Sequence, residues 1–186
     1  DSLDKYENNK NIYQISGYFF DPPSLKLKAA VFLPFISTWG WATWGKKWKT
    51  FDPQKQINLK DWNRKDIDKF NLDRNYNYFY ILKGVIKNKI ESWGVLWYLH
   101  VFNLKGLVVY PNKSLISNKG FGESATNTKR TSFKNSQNIN DIYISIKLPE
   151  KIELNQTYYD SVKFYIKSQS NDSFLIKILK LFNYYK

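Results

Sequence analysis

The chain has 186 residues, of which 42% are hydrophobic and 18% aromatic, enough to bury a core and too apolar for a disordered segment. It has no cysteine, which excludes disulfides, thiolate metal sites and thiol nucleophiles together. Lys and Arg number 29 against 16 acids, and the net charge of +13 favours an anionic contact such as nucleic acid, anionic lipid or a phosphorylated substrate.

Leu3 to Asn8 reads as the end of a helix, and Ile12 to Phe20 as a mostly buried strand in which Gly17 marks a bulge or a close approach. Asp21-Pro22-Pro23 ends that strand. A second apolar run, Ala29 to Phe35, leads into Thr38-Trp39-Gly40-Trp41-Ala42-Thr43-Trp44-Gly45-Lys46-Lys47-Trp48, which holds four of the seven tryptophans. The spacing predicts a helix capped by Thr38, with Trp41, Trp44, Gly45 and Trp48 on one face and Lys46, Lys47 and Lys49 off it. Gly40 permits unusual backbone angles at its entrance. Such a stripe is either core or a platform on which the C–H face of a sugar stacks.

Asp52-Pro53 stops this element. Helical patterns follow over Asp61–Phe70 and Tyr76–Ile90, the second with Phe79, Leu82, Ile86 and Ile90 on one face. Ser92 is the expected cap of an aromatic helix reaching Asn103, with Trp93, Trp97 and Val101 in line and Gly106 ending it. Leu107–Tyr110 is a short strand. Residues 118–140 form a long polar loop, of the kind that is usually functional or mobile. Ile142–Leu148 alternates like a half-exposed strand, and Asn155–Ser168 and Ser173–Tyr184 read as helices. The order is α/β without a clean βαβ rhythm. No apolar run approaches the roughly 20 residues that cross a bilayer, and no secretory signal is visible.

Glu91 is the carboxylate best placed for chemistry. Just ahead of a helix N-terminus, its ionised form is favoured by the dipole while Ile90 and Trp93 would desolvate it, and opposed effects of this kind hold a general base near working pH. The commoner occupant of such a position is an ordinary helix-start acid on the surface. Asp66-Ile67-Asp68 has a metal-binding spacing but falls in a basic helical pattern, where residues two apart diverge, so it reads as a solvated face. His100, the only histidine, lies among apolar residues and reads as a satisfied core group. Asn118, Gly120, Gly122, Thr126, Asn127, Lys129 and Arg130 belong to a loop whose backbone N–H groups, hydroxyls and cations suit a phosphate.

Taken in order, Ile15-Ser16-Gly17-Tyr18, Trp39 to Trp44 with Trp48, Glu91-Ser92-Trp93 with Trp97, Tyr110-Pro111-Asn112, and Asn118 to Gly122 with Ala125-Thr126-Asn127-Thr128 resemble the C-terminal half of bacterial family-2-like GT-A glycosyltransferases. The block order is also similar to that of the Golgi N-acetylglucosaminyltransferases acting on N-glycans. The resemblance runs from about Leu3 to Arg130. It implies an inverting enzyme that moves a sugar from a nucleotide-sugar donor to a hydroxyl of a glycan or lipid-linked glycan. Glu91 would stand at the position of the catalytic base. Trp39, Gly40, Trp41 and Trp44, with Trp93, would form an acceptor wall, and Asn118–Arg130 a loop over the donor phosphates. Relatives often carry His where this chain has Asn127.

The resemblance further implies a partial GT-A fold over 1–148, a mixed sheet flanked by helices, followed by a helical extension over 149–186. A nucleotide-binding half with an Asp-x-Asp site for Mg²⁺ or Mn²⁺ is expected before residue 1. The chain, which has no methionine, is therefore expected to be a fragment, inactive alone, with the metal ligands of the intact enzyme mostly outside it. In Ser173–Tyr184, Phe174, Ile178, Leu181 and Phe182 share a face opposite Lys177 and Lys180, a pattern suited either to packing or to an anionic membrane surface. The expected setting is cytoplasmic, peripheral at the membrane, without nucleic acid as partner. The competing readings are a non-catalytic carbohydrate-binding module and a basic, aromatic nucleic-acid binder.

Overall fold

The structure, a computed structural model, describes residues 1–20, 22, 26–54, 57, 59–117 and 146–169. The elements in order are α1 (Ser2–Tyr6), β1 (Ile12–Ser16), β2 (Val31–Leu33), β3 (Trp41–Ala42), α2 (Gly45–Trp48), α3 (Arg64–Phe70), α4 (Tyr78–Ile86), α5 (Trp93–Asn103), β4 (Leu107–Tyr110) and α6 (Gln156–Gln169). The fold is α/β. Among the described residues, four strands form one mixed sheet in the order β2-β4-β1-β3, in which β1 and β4 are parallel and the two outer pairings antiparallel.

Strand alternation sends successive side chains to opposite faces. Val31, Leu33, Val108 and Tyr110 enter a large core with Trp97, Tyr98 and Leu99 of α5. Phe32 and Val109 enter a smaller one with Tyr6 and Trp44. β1 breaks the alternation. Its pairing with β4 slips between Ile12 and Gln14, so that Gln14, not Tyr13, lies opposite Val108. This bulge turns Gln14 toward α5.

The predicted helices exist but are shorter, because the ends of apolar periodicity do not coincide with caps. Asn63 caps α3 through its side chain and a reciprocal bond from Asp66, which removes the expected first turn from Asp61. Asn77 caps α4, and Ile86 ends it four residues before Ile90. Ser92 caps α5 as its spacing indicates, with Val95 N donating to its hydroxyl at 3.4 Å. Lys105, at a positive φ, closes that helix one residue ahead of Gly106.

Strand expectations shrink likewise, β1 stopping at Ser16 and β2 spanning three residues. α6 adds Tyr158, Val162 and Ile166 to the large core, so the extension expected from residue 149 shares that core through its first helix. No helix among the described residues is long and apolar enough to cross a membrane. The 142–145 part of the last predicted strand and the whole of Ser173–Tyr184 lie outside the described residues.

Candidate functional site

Gln14 lies in the middle of β1, opposite Val108 of β4. It is fully buried. Its Nε2 donates to Ser37 O at 2.6 Å, and its Oε1 accepts from Trp97 Nε1 at 2.8 Å. One side chain thus ties the strand, the segment before Trp39 and the middle of α5 together. Beyond β1, Gly17 N donates to Gly40 O at 2.6 Å, and Leu115 N donates to Gly17 O at 2.8 Å. A Cβ on Gly17 would stand 2.7 Å from Gly40 O. Gly40 has φ +51°, with Ile116 packed over the space its own Cβ would need. The chain after β1, the turn before β3 and the segment after β4 therefore meet beyond the carboxyl ends of the parallel strands β1 and β4, the end at which open α/β folds place their ligands.

The helix predicted through the tryptophan stretch does not form over its expected length. Trp41–Ala42 instead pairs with Ile15 and Ser16 as β3, and only Gly45–Trp48 is helical, with Trp44 as N-cap. Gly40, at φ +51°, breaks the helical path ahead of Trp41, and glycine in a helix interior carries an entropic cost. The indoles are accordingly divided. Trp44 is buried in the smaller core, its Nε1 donating to Leu3 O at 3.0 Å, with the Lys47 ammonium 4.8 Å over its ring. Trp39 is half-buried, edge-on to Tyr18 at 4.6 Å. Gly45, expected on a packed face, is open to solvent.

Trp41 is the centre of a separate aromatic surface. Its ring lies 5.6 Å from Trp93, 5.8 Å from Trp48 and 5.9 Å from Trp97. Trp97 is fully buried beneath, whereas Trp48 and Trp93 are 41% and 50% exposed. Of the expected wall, then, the structure brings Trp41 and Trp93 together and places Trp44 elsewhere. Trp48 takes its place on the surface, a role that its position within a predicted helical stripe does not reveal. Gln14 is likewise absent from the residues expected at the site, although a polar residue inside an apolar strand run is a readable signal.

Glu91 lies on the surface two residues before α5, and its carboxylate makes no hydrogen bond or ion pair within the described residues. Ile90 packs against Gly84 of α4, and Trp93 is half-exposed. The desolvating surroundings expected for Glu91 are therefore absent. The first turn of α5 itself is pinned to the tryptophan segment, since a Cβ on Gly94 would come 3.0 Å from Thr38 Cγ2.

His100 is buried under the aromatic surface, stacked on Trp97 at 5.2 Å and facing Tyr13 edge-on at 5.9 Å. Its Nε2 lies 3.2 Å from Thr50 Oγ1, whose own hydrogen goes to Lys47 O at 2.7 Å. That leaves the Thr50 oxygen as acceptor and Nε2–H as donor. Burial pushes the imidazole below its ordinary pKa. Asp66 and Asp68 have local duties, Asp66 capping α3 and Asp68 pairing with Arg74 at 2.6 Å.

No three His, Cys, Asp or Glu side chains converge to hold a metal among the described residues. Asn118, Gly120, Gly122, Thr126, Asn127, Lys129 and Arg130 lie outside those residues. No family model, characterised protein or solved structure matches the chain.

Proposed function

We propose that the chain is the acceptor-side part of an inverting glycosyltransferase that transfers a sugar from a nucleotide-sugar donor to a hydroxyl of a glycan or lipid-linked glycan. The observation that supports it is the adjacency of Glu91 and the half-exposed Trp93 at the start of α5, with Trp41 continuing the aromatic surface. A sugar ring stacked on Trp93 would present a hydroxyl to the carboxylate of Glu91, two residues earlier in the chain. In this reading Glu91 takes the proton of one hydroxyl, whose oxygen attacks the donor's anomeric carbon on the face opposite the departing nucleoside diphosphate. The C–O bond to the leaving group breaks as the new glycosidic bond forms, and the configuration inverts.

The Mg²⁺ or Mn²⁺ that the resemblance implies finds no ligand set among the described residues. The loop at Asn118–Arg130 belongs to the proposal through the resemblance alone. A cytoplasmic, membrane-peripheral setting belongs to it in the same way, following from lipid-linked acceptors.

The test is transfer from a panel of nucleotide sugars by the natural gene product carrying this chain. Glu91→Gln should lower kcat by about 10²–10⁴-fold, the range of general-base contributions, with donor affinity little changed. Near-normal turnover would return Glu91 to the role of a surface acid. One observation favours the second reading, a carbohydrate-binding module without catalysis. The Glu91 carboxylate is held by no partner among the described residues, whereas catalytic groups are usually fixed by their surroundings. That reading predicts glycan binding without turnover.

A further inference from the structure

We propose that the aromatic surface docks on an anionic membrane, with Trp48 and Trp93 at headgroup depth and the lysines beside them in the chain against lipid phosphates. This goes beyond the acceptor reading, which assigns no surface to the membrane, and it stands whether or not a sugar is transferred.

The apolar part is continuous. Trp41 meets Trp93 at 5.6 Å and Trp48 at 5.8 Å, and Ile86, 39% exposed, ends α4 just before the turn that leads to Trp93. Two segments, 45–51 and 86–94, carry the exposed side chains, and their exposed charges are lopsided. Lys46 of α2 and its C-cap Lys49 stand on either side of Trp48 in the chain, and Lys87 and Lys89 stand in the turn ahead of Trp93. These four lysines are exposed, against one exposed acid in the two segments, Glu91. Lys47 is half-buried and turned inward, donating to Asn9 O and Ile12 O. The turn itself is fixed. Asn88 has φ +53°, Lys89 N donates to Gly84 O at 2.8 Å, and the Ile90 side chain packs on Gly84.

Exposed tryptophan interspersed with lysine is the composition of a membrane-interface surface. Indole sits at headgroup level there, while lysine lays its stem on apolar surface and keeps its ammonium among phosphates. Two other partners fit less well. Protein interfaces gather tryptophan but are depleted in lysine. Single-stranded nucleic acid stacks successive bases on aromatic rings, whereas these indoles lie against one another, inclined by 31° and 49°, and leave no slot for a base between them. The support beneath is rigid. Trp97 lies under both Trp41 and Trp48, at 5.9 and 5.2 Å, and is held by Gln14. Docking therefore does not have to order the surface first.

Co-sedimentation of the whole chain with phosphatidylcholine vesicles, with and without about a third phosphatidylserine, tests this, and an oligothymidylate serves as the rival anion. Each net charge near an anionic surface is worth about fivefold. Four lysines against Glu91 should therefore favour the anionic vesicles about a hundredfold, a preference that added salt removes. Trp48→Ala and Trp93→Ala should each weaken vesicle binding about tenfold, following the apolar area withdrawn, with unchanged urea midpoints. Lys46→Glu combined with Lys49→Glu should lower binding to anionic vesicles and leave binding to neutral ones unchanged. Phe164→Ala, at a side chain 73% exposed on α6, is the control and should change nothing. Lipids brominated at the top of their acyl chains should quench indole emission of the unaltered chain, a readout that needs no variant.

Equal affinity for neutral and anionic vesicles, binding that survives loss of both indoles, or unquenched emission on bound vesicles overturns the proposal. So does a failure to bind vesicles at all. Oligothymidylate binding that depends on Trp48 and exceeds vesicle binding overturns it as well, and assigns the surface to nucleic acid.

Discussion

Two buried polar residues hold the site in place, and each has a measurable consequence. Gln14 is the link between Trp97 Nε1 and Ser37 O. Gln14→Leu keeps the volume and leaves both partners buried without a bond, a loss of about 1–3 kcal/mol for each unsatisfied group. Thermal unfolding should show it as a fall of about 2–4 °C per kcal/mol for a chain of this size. An unchanged melting temperature would mean that water replaces the amide. Burial holds the pKa of His100 below the ordinary 6.5. A group whose folded pKa is depressed in this way contributes stability above its unfolded pKa and loses it as pH falls toward the folded value. Stability should therefore decline between about pH 7 and pH 5. Since this is the only histidine, His100→Phe should flatten the decline in that window. A slope that persists in the variant would assign it to carboxylates.

At the scale of elements, the short strand β3 matters more than its two residues suggest. It carries Trp41 to the sheet edge, and the Gly17–Gly40 contact fixes where it starts. Gly17→Ala would set a Cβ 2.7 Å from a backbone oxygen, which cannot rotate away. A cost of about 2–3 kcal/mol is expected, in the range of steric clashes at packed sites. Urea unfolding should give a lower midpoint with an unchanged slope. Because the shift falls on the turn before Trp41, saccharide binding should weaken as well. The turn after α3 is a second unusual element, with Leu72, Asp73 and Arg74 all at positive φ. Leu72 is fully buried, and the Asn75 side-chain amide donates to its carbonyl at 2.7 Å, so packing and hydrogen bonding hold a conformation that costs each residue energy.

Across the whole molecule, α6 closes the large core over the same turn. Lys163 of α6 is paired with Asp73 and with Asp160, and its ammonium lies 4.5 Å over the Tyr159 ring. Desolvation lowers its pKa, but hydrogen bonds to Asp160 and Asp73 raise it further, for a net rise. A raised folded pKa means that this link contributes below the ordinary lysine value of 10.5 and is lost as pH climbs past it. Both carboxylates are half-exposed, so the contribution is small. Apolar burial is the larger matter. Tyr158, Val162 and Ile166 are almost fully buried, and Phe19 stacks on Tyr158 at 5.5 Å. Each such side chain is worth about 1.5–3 kcal/mol, so losing three approaches the ~5–15 kcal/mol that holds a domain folded. A chain ending at Leu154 should unfold without a cooperative transition. A sharp transition at a slightly lower temperature would show α6 to be an accessory.

Several features follow from local chemistry and are legible in the amino-acid sequence by itself. Ser92 reads as the cap of α5, Leu107–Tyr110 as a strand, Asn155 as the residue ahead of α6, and His100 as a satisfied core group, because each depends on neighbours a few residues away. The division of the tryptophans is not legible there. Residues 38–48 carry a helical spacing and two glycines, and the choice between helix and strand is made by β1, well upstream in the chain, whose free edge accepts Trp41–Ala42. The same long-range pairing sends Trp44 to one core and Trp41 to the surface, and no local pattern distinguishes them. Glu91 shows the limit from the other side. Its place ahead of a helix is readable, but its exposure depends on Ile90 turning to α4, a contact set by how two helices pack. Propensity and capping act within a turn or two, whereas burial and pairing depend on which distant segments meet.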